Sequence, residues 1–396
     1  MGASAAVALG KRGKSCLLLD QFEPGHERGS SHGDGRIYRF AYREQVYVDL
    51  MKAGKRGWEE LEAATGDVVH TTTGGLDIAD KGDVSLTSLC ASFDKNGVGY
   101  EILSPEECKK RFPQFKLADR QEAVFQKDSG VIFSTKAVET LWKYARKLGC
   151  DTLANTKVVS IGYNSSNVLT LTTAQGRILT ADKLVIAPGG WLTSLCKNLG
   201  INLPTRVSDE MVSYWEPKAG NKIDYTYKSM PIFIPWIPNK LGPYGYYGLP
   251  QIEIPGIKCS AHYCGPTIDP DARPADDLNR FNEVLESTRE MVKAMFPGLD
   301  TTNGPTTKLR CIYTITGDHD FVLGPHPKHP NICWMGGGSG HGAKFAPALG
   351  EVAVRSLLGE PQLFPLPANK FSPDRFEKQF GPGVDFETIE KSSGQK

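Results

Sequence analysis

Met1-Gly2-Ala3-Ser4-Ala5-Ala6-Val7-Ala8-Leu9-Gly10-Lys11-Arg12-Gly13, followed by Lys14-Ser15-Cys16-Leu17-Leu18-Leu19-Asp20, is the stretch on which the fold turns. Ala3, Ala5, Ala6 and Ala8 predict a helix running to Gly13, and Cys16 to Leu19 predict a short strand closed by Asp20. Helix then strand is the second half of a βαβ unit. In the dinucleotide-binding fingerprint the third glycine opens the helix, and an acidic residue about 20 residues beyond the glycine turn takes a ribose hydroxyl. Gly2 and Asp20 fit those two roles. The first strand and the first two glycines of the fingerprint would precede Met1, so the motif is expected to be truncated here. The same stretch also suits the αβ unit of any α/β protein, and segments farther along must decide.

Outward from it, apolar spacing at Val48, Met51, Trp58 and Leu61 predicts a helix over 46–65, and Thr71 to Ala79 reads as a strand. Ser104-Pro105-Glu106-Glu107 is a capping box with proline at the first helical position, and Pro113 ends that helix. Val138, Leu141, Ala145 and Leu148 predict a helix from Ser134 that stops at Gly149. Lys157 to Gly189 reads as strands with turns at Asn164 to Asn167 and Gln175-Gly176, ending in Leu184-Val185-Ile186-Ala187 before Pro188-Gly189-Gly190-Trp191. A strand that runs into glycine suits close approach to a nucleotide. Residues 206–265 alternate as an antiparallel sheet would. A helix is expected at 277–296 on Phe281, Leu285, Thr288, Val292 and Met295, then a strand from Asn331 to Met335, a glycine-rich turn and a helix from Pro347 to Leu358. The tail beyond Phe376, above all 381–396, is polar and expected to be loose.

With 396 residues, two domains are the prior expectation. Lys+Arg 46 against Asp+Glu 45 leaves +1, and no basic block offers the footprint that nucleic acid requires. The nine cysteines are scattered, without the spacing of a disulfide or metal framework, which points to a reducing compartment. No apolar stretch approaches the roughly 20 residues that span a bilayer. Asn164-Ser165-Ser166 is a sequon that, without a secretory signal, reads as a chance match.

Three separated clusters carry a resemblance: Gly29-Ser30-Ser31-His32-Gly33-Asp34-Gly35-Arg36-Ile37-Tyr38-Arg39; Tyr246-Tyr247-Gly248-Leu249-Pro250 with Lys258 and His262; and Cys311-Ile312-Tyr313-Thr314 with Gly337-Gly338-Ser339-Gly340-His341-Gly342-Ala343-Lys344. In order and spacing they resemble the monomeric and peroxisomal sarcosine oxidase family of FAD-dependent amine oxidases, which includes L-pipecolate oxidase. The resemblance implies an α/β fold in which a Rossmann-like, glutathione-reductase-type FAD domain interleaves with an α+β substrate domain on an antiparallel sheet. Residues 1–70, 147–206 and 318–380 would form the first, and 71–146 and 207–317 the second.

The resemblance also implies residue roles. Cys311, alone more often an inert buried thiol, would carry FAD through a thioether to its 8α carbon, with Lys308 and Arg310 helping to lower its pKa. Arg39 and Lys344 would grip the substrate carboxylate, one as a planar fork and one as a point charge. Arg36 and His32 would lie against the flavin, and Lys258 would activate oxygen. His262, Tyr247 and Tyr313 would shape the pocket around the amine, although a lone histidine is more often structural. Gly2, Asp20, Val158, Gly189, Gly340, His341 and Gly342 would contact the cofactor, with the helix dipole after the glycine turn facing the flavin. The expected reaction turns a small secondary amino acid and O2 into an imine and hydrogen peroxide, in a monomer without nucleic-acid, membrane or metal partners. Rivals are oxidases of larger N-substituted, fructosyl or D-amino acids, and a non-catalytic relative impaired in FAD binding. Peroxisome or cytoplasm is the expected compartment, and the terminal Ser393-Gly394-Gln395-Lys396 is not a Ser-Lys-Leu type signal.

Overall fold

The computed structural model describes residues 1–396 apart from 198, 243, 275–277, 368 and 394–396. The opening stretch folds as helix Gly2–Gly10 and strand Leu17–Leu19, with Gly13 at φ +62° in the turn between them. Its small residues have a packing cause. The helix lies so close to helix Ala346–Leu358 that a Cβ on Gly350 would stand 2.6 Å from the Ser4 carbonyl carbon, and Ala3, Ala5, Ala6 and Ala8 are buried there.

Parallel pairings bring distant segments together. Leu17–Leu19 pairs with Asp151–Leu153. Leu184–Ile186 pairs with Ile332–Gly336, whose other edge takes Val322–Pro325 antiparallel. A separate antiparallel meander spans Val158–Tyr163, Leu169–Thr173 and Ile178–Ala181. The largest sheet has eight strands, in the order Thr307–Thr316, Thr205–Trp215, Ile257–Ala261, Tyr246–Leu249, Ile232–Pro235, Gly75–Asp80, Gln121–Gln126 and Glu101–Leu103. All its neighbours are antiparallel except Ile232–Pro235 against Gly75–Asp80. This sheet carries Lys258, Tyr247, Cys311 and Tyr313.

Most expected elements form with shifted ends. The helix over 46–65 is Gln45–Thr65, that from Ser134 runs to Lys147, and the Ser104 capping box closes both of its hydrogen bonds. The helix expected at 277–296 is Leu278–Met295, and residue 277 lies outside the described residues. The single strand expected from Thr71 to Ala79 is two, His70–Thr72 and Gly75–Asp80, because Gly74 at φ +75° breaks the extended run.

The loose tail is a correction. Residues Arg375–Phe380 and Phe386–Ser393 are helical, and Phe376, Phe386 and Ile389 are buried. Those few apolar side chains at helical spacing suffice to dock an otherwise polar segment, aided by Arg206 pairing with Glu390 at 2.7 Å. Among the described residues no helix is long and apolar enough to cross a membrane.

Candidate active site

A cavity of about 450 Å³ opens between the large sheet and the segments flanking it, and it gathers His32, Arg36, Arg39, Tyr247, Lys258, His262, Cys311, Tyr313, Gly340, His341 and Lys344. Alternation along the strands puts them there: Cys311 and Tyr313 are two apart, so both face one side, while Arg310 and Lys308 face the other. That geometry corrects one expectation. The cations nearest in effect to the Cys311 thiol are Arg36 and Lys258, not Lys308 and Arg310. Arg310 instead donates to the buried carboxylate of Asp209, which Arg273 also holds at 2.6 Å. Burial pushes the Cys311 thiol up, and Arg36 and Lys258 oppose that rise.

One wall is built on Lys258. Its ammonium is buried, donates to the Gly35 carbonyl at 3.0 Å and stands 3.9 Å from Asp34. Asp34 is held by the Tyr214 hydroxyl at 2.8 Å. Burial first, then the charge of Arg36, lowers Lys258 to about 8. Arg36 is fixed by backbone, donating to Gly35 and Ser30 carbonyls at 2.9 and 2.8 Å. His32 is 4% exposed, and its Nε2 has no hydrogen-bond partner among the described residues. Burial, then the charges of Arg36, Lys258 and Arg273, lowers it to about 4, so it is neutral near pH 7.

The facing corner holds Arg39 and Lys344. Arg39 Nη1 meets Asp77 Oδ1 at 3.2 Å, and the guanidinium lies over the rings of Tyr42 and Trp236 at 5.3 and 5.6 Å. Lys344 is buried and donates to the Tyr42 hydroxyl at 2.9 Å and to the His341 carbonyl at 2.7 Å. Burial, then the charge of Arg39, holds it well below the usual lysine range. The Trp58 indole donates to the Lys344 carbonyl at 3.0 Å, so helix Gln45–Thr65 anchors this corner. His262 packs edge-on against Tyr247 and Tyr313, each at 5.6 Å between centroids, and burial followed by Arg39 lowers it to about 3. A neutral imidazole accepts as well as donates.

The remaining expected cofactor residues lie outside this cavity. Gly2 and Gly342 flank the start of the first helix: a Cβ on Gly2 would be 3.5 Å from Ala187, and one on Gly342 would be 2.5 Å from Met1 Cε. Gly189 turns at φ +57° just after that Ala187 strand end. Asp20 follows strand Leu17–Leu19 and accepts from the Phe22 amide at 3.0 Å, while Val158 opens the meander. Sequence reasoning missed Asp77, Asp34, Tyr42 and Trp236. A signal for Asp77 was present, since it is the one charge inside the apolar run Leu76-Asp77-Ile78-Ala79.

These residues suit a flavin on three counts. His32 offers a buried nitrogen with no partner among the described residues. Gly340, at φ +69°, lies so close to the Tyr313 ring that a Cβ would meet it at 2.5 Å. Glycines crowd the amino end of helix Gly2–Gly10, whose dipole favours an anion such as a diphosphate.

Comparison with known proteins agrees. Residues 1–356 match the family model described as FAD dependent oxidoreductase. The chain is 33% identical over 378 residues to the peroxisomal sarcosine oxidase of Mus musculus, covering 94% of both proteins. It is 33% identical over 368 residues to the monomeric sarcosine oxidase of Bacillus sp. (strain B-0618), covering 90% of both. Among solved structures, the open form of NikD, an unusual amino acid oxidase essential for nikkomycin biosynthesis, matches with a TM-score of 0.78 at 20% identity over 94% of both chains. That last likeness bears on the fold.

Proposed function

The chain belongs to the family of FAD-dependent oxidoreductases, and from that premise we propose that it oxidises a small secondary amino acid of the sarcosine or L-pipecolate type to the imine, with O2 reduced to hydrogen peroxide. The observation that carries this reading is that Arg39 and Lys344 meet at Tyr42 in a cavity that Lys258 and Cys311 also line. Bound FAD supplies the hydride acceptor and passes the electrons to O2.

The chain's own residues do the rest. Arg39 and Lys344 hold the carboxylate in a desolvated corner, where a charge-assisted hydrogen bond is stronger than in water. Neutral His262, with Tyr247 and Tyr313, receives the amine without adding charge. Lys258 keeps a cation beside the oxygen-reacting region, where it stabilises negative charge as it develops. Arg36, His32, Gly340 and His341 line the flavin, Cys311 is its point of covalent attachment, and Gly2, Asp20, Val158, Gly189 and Gly342 serve the nucleotide end. Residues 1–70, 147–206 and 318–380 make up the FAD-binding part and 71–146 with 207–317 the substrate part, a division supported by the two parallel pairings. The enzyme acts as a monomer.

A peroxide-coupled assay over sarcosine, L-pipecolate, larger N-methyl amino acids and D-amino acids tests the substrate class. Turnover of the first two above the others is expected. Preference for a primary or D-amino acid rejects the reading.

A further inference from the structure

Asp77 stands at the third position of strand Gly75–Asp80, 3% exposed. Its carboxylate receives two donors, Arg39 Nη1 at 3.2 Å and the Trp236 indole at 2.9 Å. Arg39 and Trp236 both line the cavity, and Asp77 lies behind them. With a carboxylate bound beside it to keep Lys344 protonated, the corner holds two cations, Arg39 and Lys344, and one buried anion, Asp77. Elsewhere in the cavity Lys258 has Asp34 at 3.9 Å, and Arg36 is held by the backbone carbonyls of Gly35 and Ser30. A substrate with a neutral nitrogen and a single carboxylate brings the corner to neutrality. A second carboxylate would leave an uncompensated charge out of water, which is costly.

We propose that Asp77 is a specificity residue that restricts this site to monocarboxylates, by cancelling the charge that a second carboxylate would otherwise find. The proposal rests on the reading of Arg39 and Lys344 as the carboxylate clamp. Neutralising Asp77 raises the corner from one net positive charge to two, and so favours a dianion more than a monoanion. Orientation of Arg39 by Asp77 is a different effect, because disturbing it changes the affinity for both kinds of ligand alike.

The test uses three non-oxidisable pyrroles on the purified, flavin-bearing protein, titrated by calorimetry near pH 8: pyrrole-2-carboxylate, pyrrole-2,5-dicarboxylate and 5-carbamoylpyrrole-2-carboxylate. The last two have nearly the same shape and differ by one charge. The parent protein is expected to bind the carbamoyl acid at least tenfold more tightly than the diacid. Asp77→Asn, which keeps the acceptor for Trp236, should shrink that preference at least tenfold. Equal binding of the two by the parent overturns the proposal, whatever the variant does. An unchanged preference in Asp77→Asn also overturns it and leaves Asp77 as a positioning residue. Lys344→Met separates the two readings: if it leaves all three affinities unchanged, the clamp itself is misassigned and the inference falls with it.

Discussion

The two walls of the cavity each bury a lysine, yet they hold it differently. Lys258 has a carboxylate 3.9 Å away and gives its hydrogen bond to a backbone carbonyl instead. Lys344 donates to a tyrosine hydroxyl and a carbonyl and lies over the rings of Tyr42 and Phe345, with no carboxylate among the described residues to pair with it, while the carboxylate of Asp77 is committed to Arg39. Burial and the charge of Arg36, partly opposed by Asp34, leave Lys258 titrating at about 8, and burial with the charge of Arg39 holds Lys344 well below the usual lysine range with no carboxylate to oppose it among the described residues. A cation that lacks its own anion is one for which an incoming carboxylate is worth most. One that is already half-compensated suits a resident role. The comparison supports the proposed division, with substrate binding at the Lys344 corner and oxygen chemistry at the Lys258 wall.

The most drastic way to sharpen that contrast is to detach the cofactor from the Lys258 wall. Cys311→Ser should abolish covalent flavin and leave the fold intact, because serine is nearly isosteric but no thiolate nucleophile at neutral pH. Acid precipitation reads it directly: the pellet of the parent stays yellow and that of the variant does not. A yellow variant pellet assigns attachment to another residue. Next in size, Lys258→Met should slow the oxygen half-reaction by the ~2.7–4 kcal/mol typical of one lost electrostatic contact, about a hundredfold or more. Anaerobic reduction by substrate should change far less. Stopped-flow traces with equal losses in both halves would break the division between walls.

Lys344→Met acts on the other side. Losing one charge-assisted contact to the carboxylate costs ~1.5–3 kcal/mol, so KM should rise roughly tenfold to a hundredfold with the oxygen step unaltered. A lowered oxygen rate with KM unchanged would reverse the assignment.

How far this contrast was legible in the sequence depends on what kind of interaction carries it. The residues that meet the cavity were found because motif spacing preserves their order, and the helix and strand of the opening stretch because small and apolar runs are local signals. Partners were harder. Lys308 and Arg310 are neighbours of Cys311 along the chain but stand on the opposite face of its strand, and Arg36 and Lys258 reach it only through tertiary packing. Asp77 pairs with Arg39 across 38 positions, so its place in an apolar run marks a buried charge without naming its partner. The docked tail escaped notice for a related reason, since Phe386 and Ile389 are too few to mark a helix until Gly317 and Arg206 supply the surface beneath them.

The smallest effect is the dependence on pH, and it separates the walls without any substitution. Lys258, lowered from the usual lysine value to about 8, is charged below that pH and loses its proton as pH rises through it. If its cation serves the oxygen step, that step should be constant from about pH 6 to 7 and fall above pH 8, approaching tenfold per unit until another path takes over. His262 is lowered to about 3 and stays neutral over this whole range, so substrate reduction of the flavin should show no limb near the ordinary histidine value of about 6.5. The two half-reactions of one enzyme should therefore carry different profiles, and in Lys258→Met the decline above pH 8 should vanish. A decline that survives the substitution belongs to another group and removes Lys258 from the oxygen step.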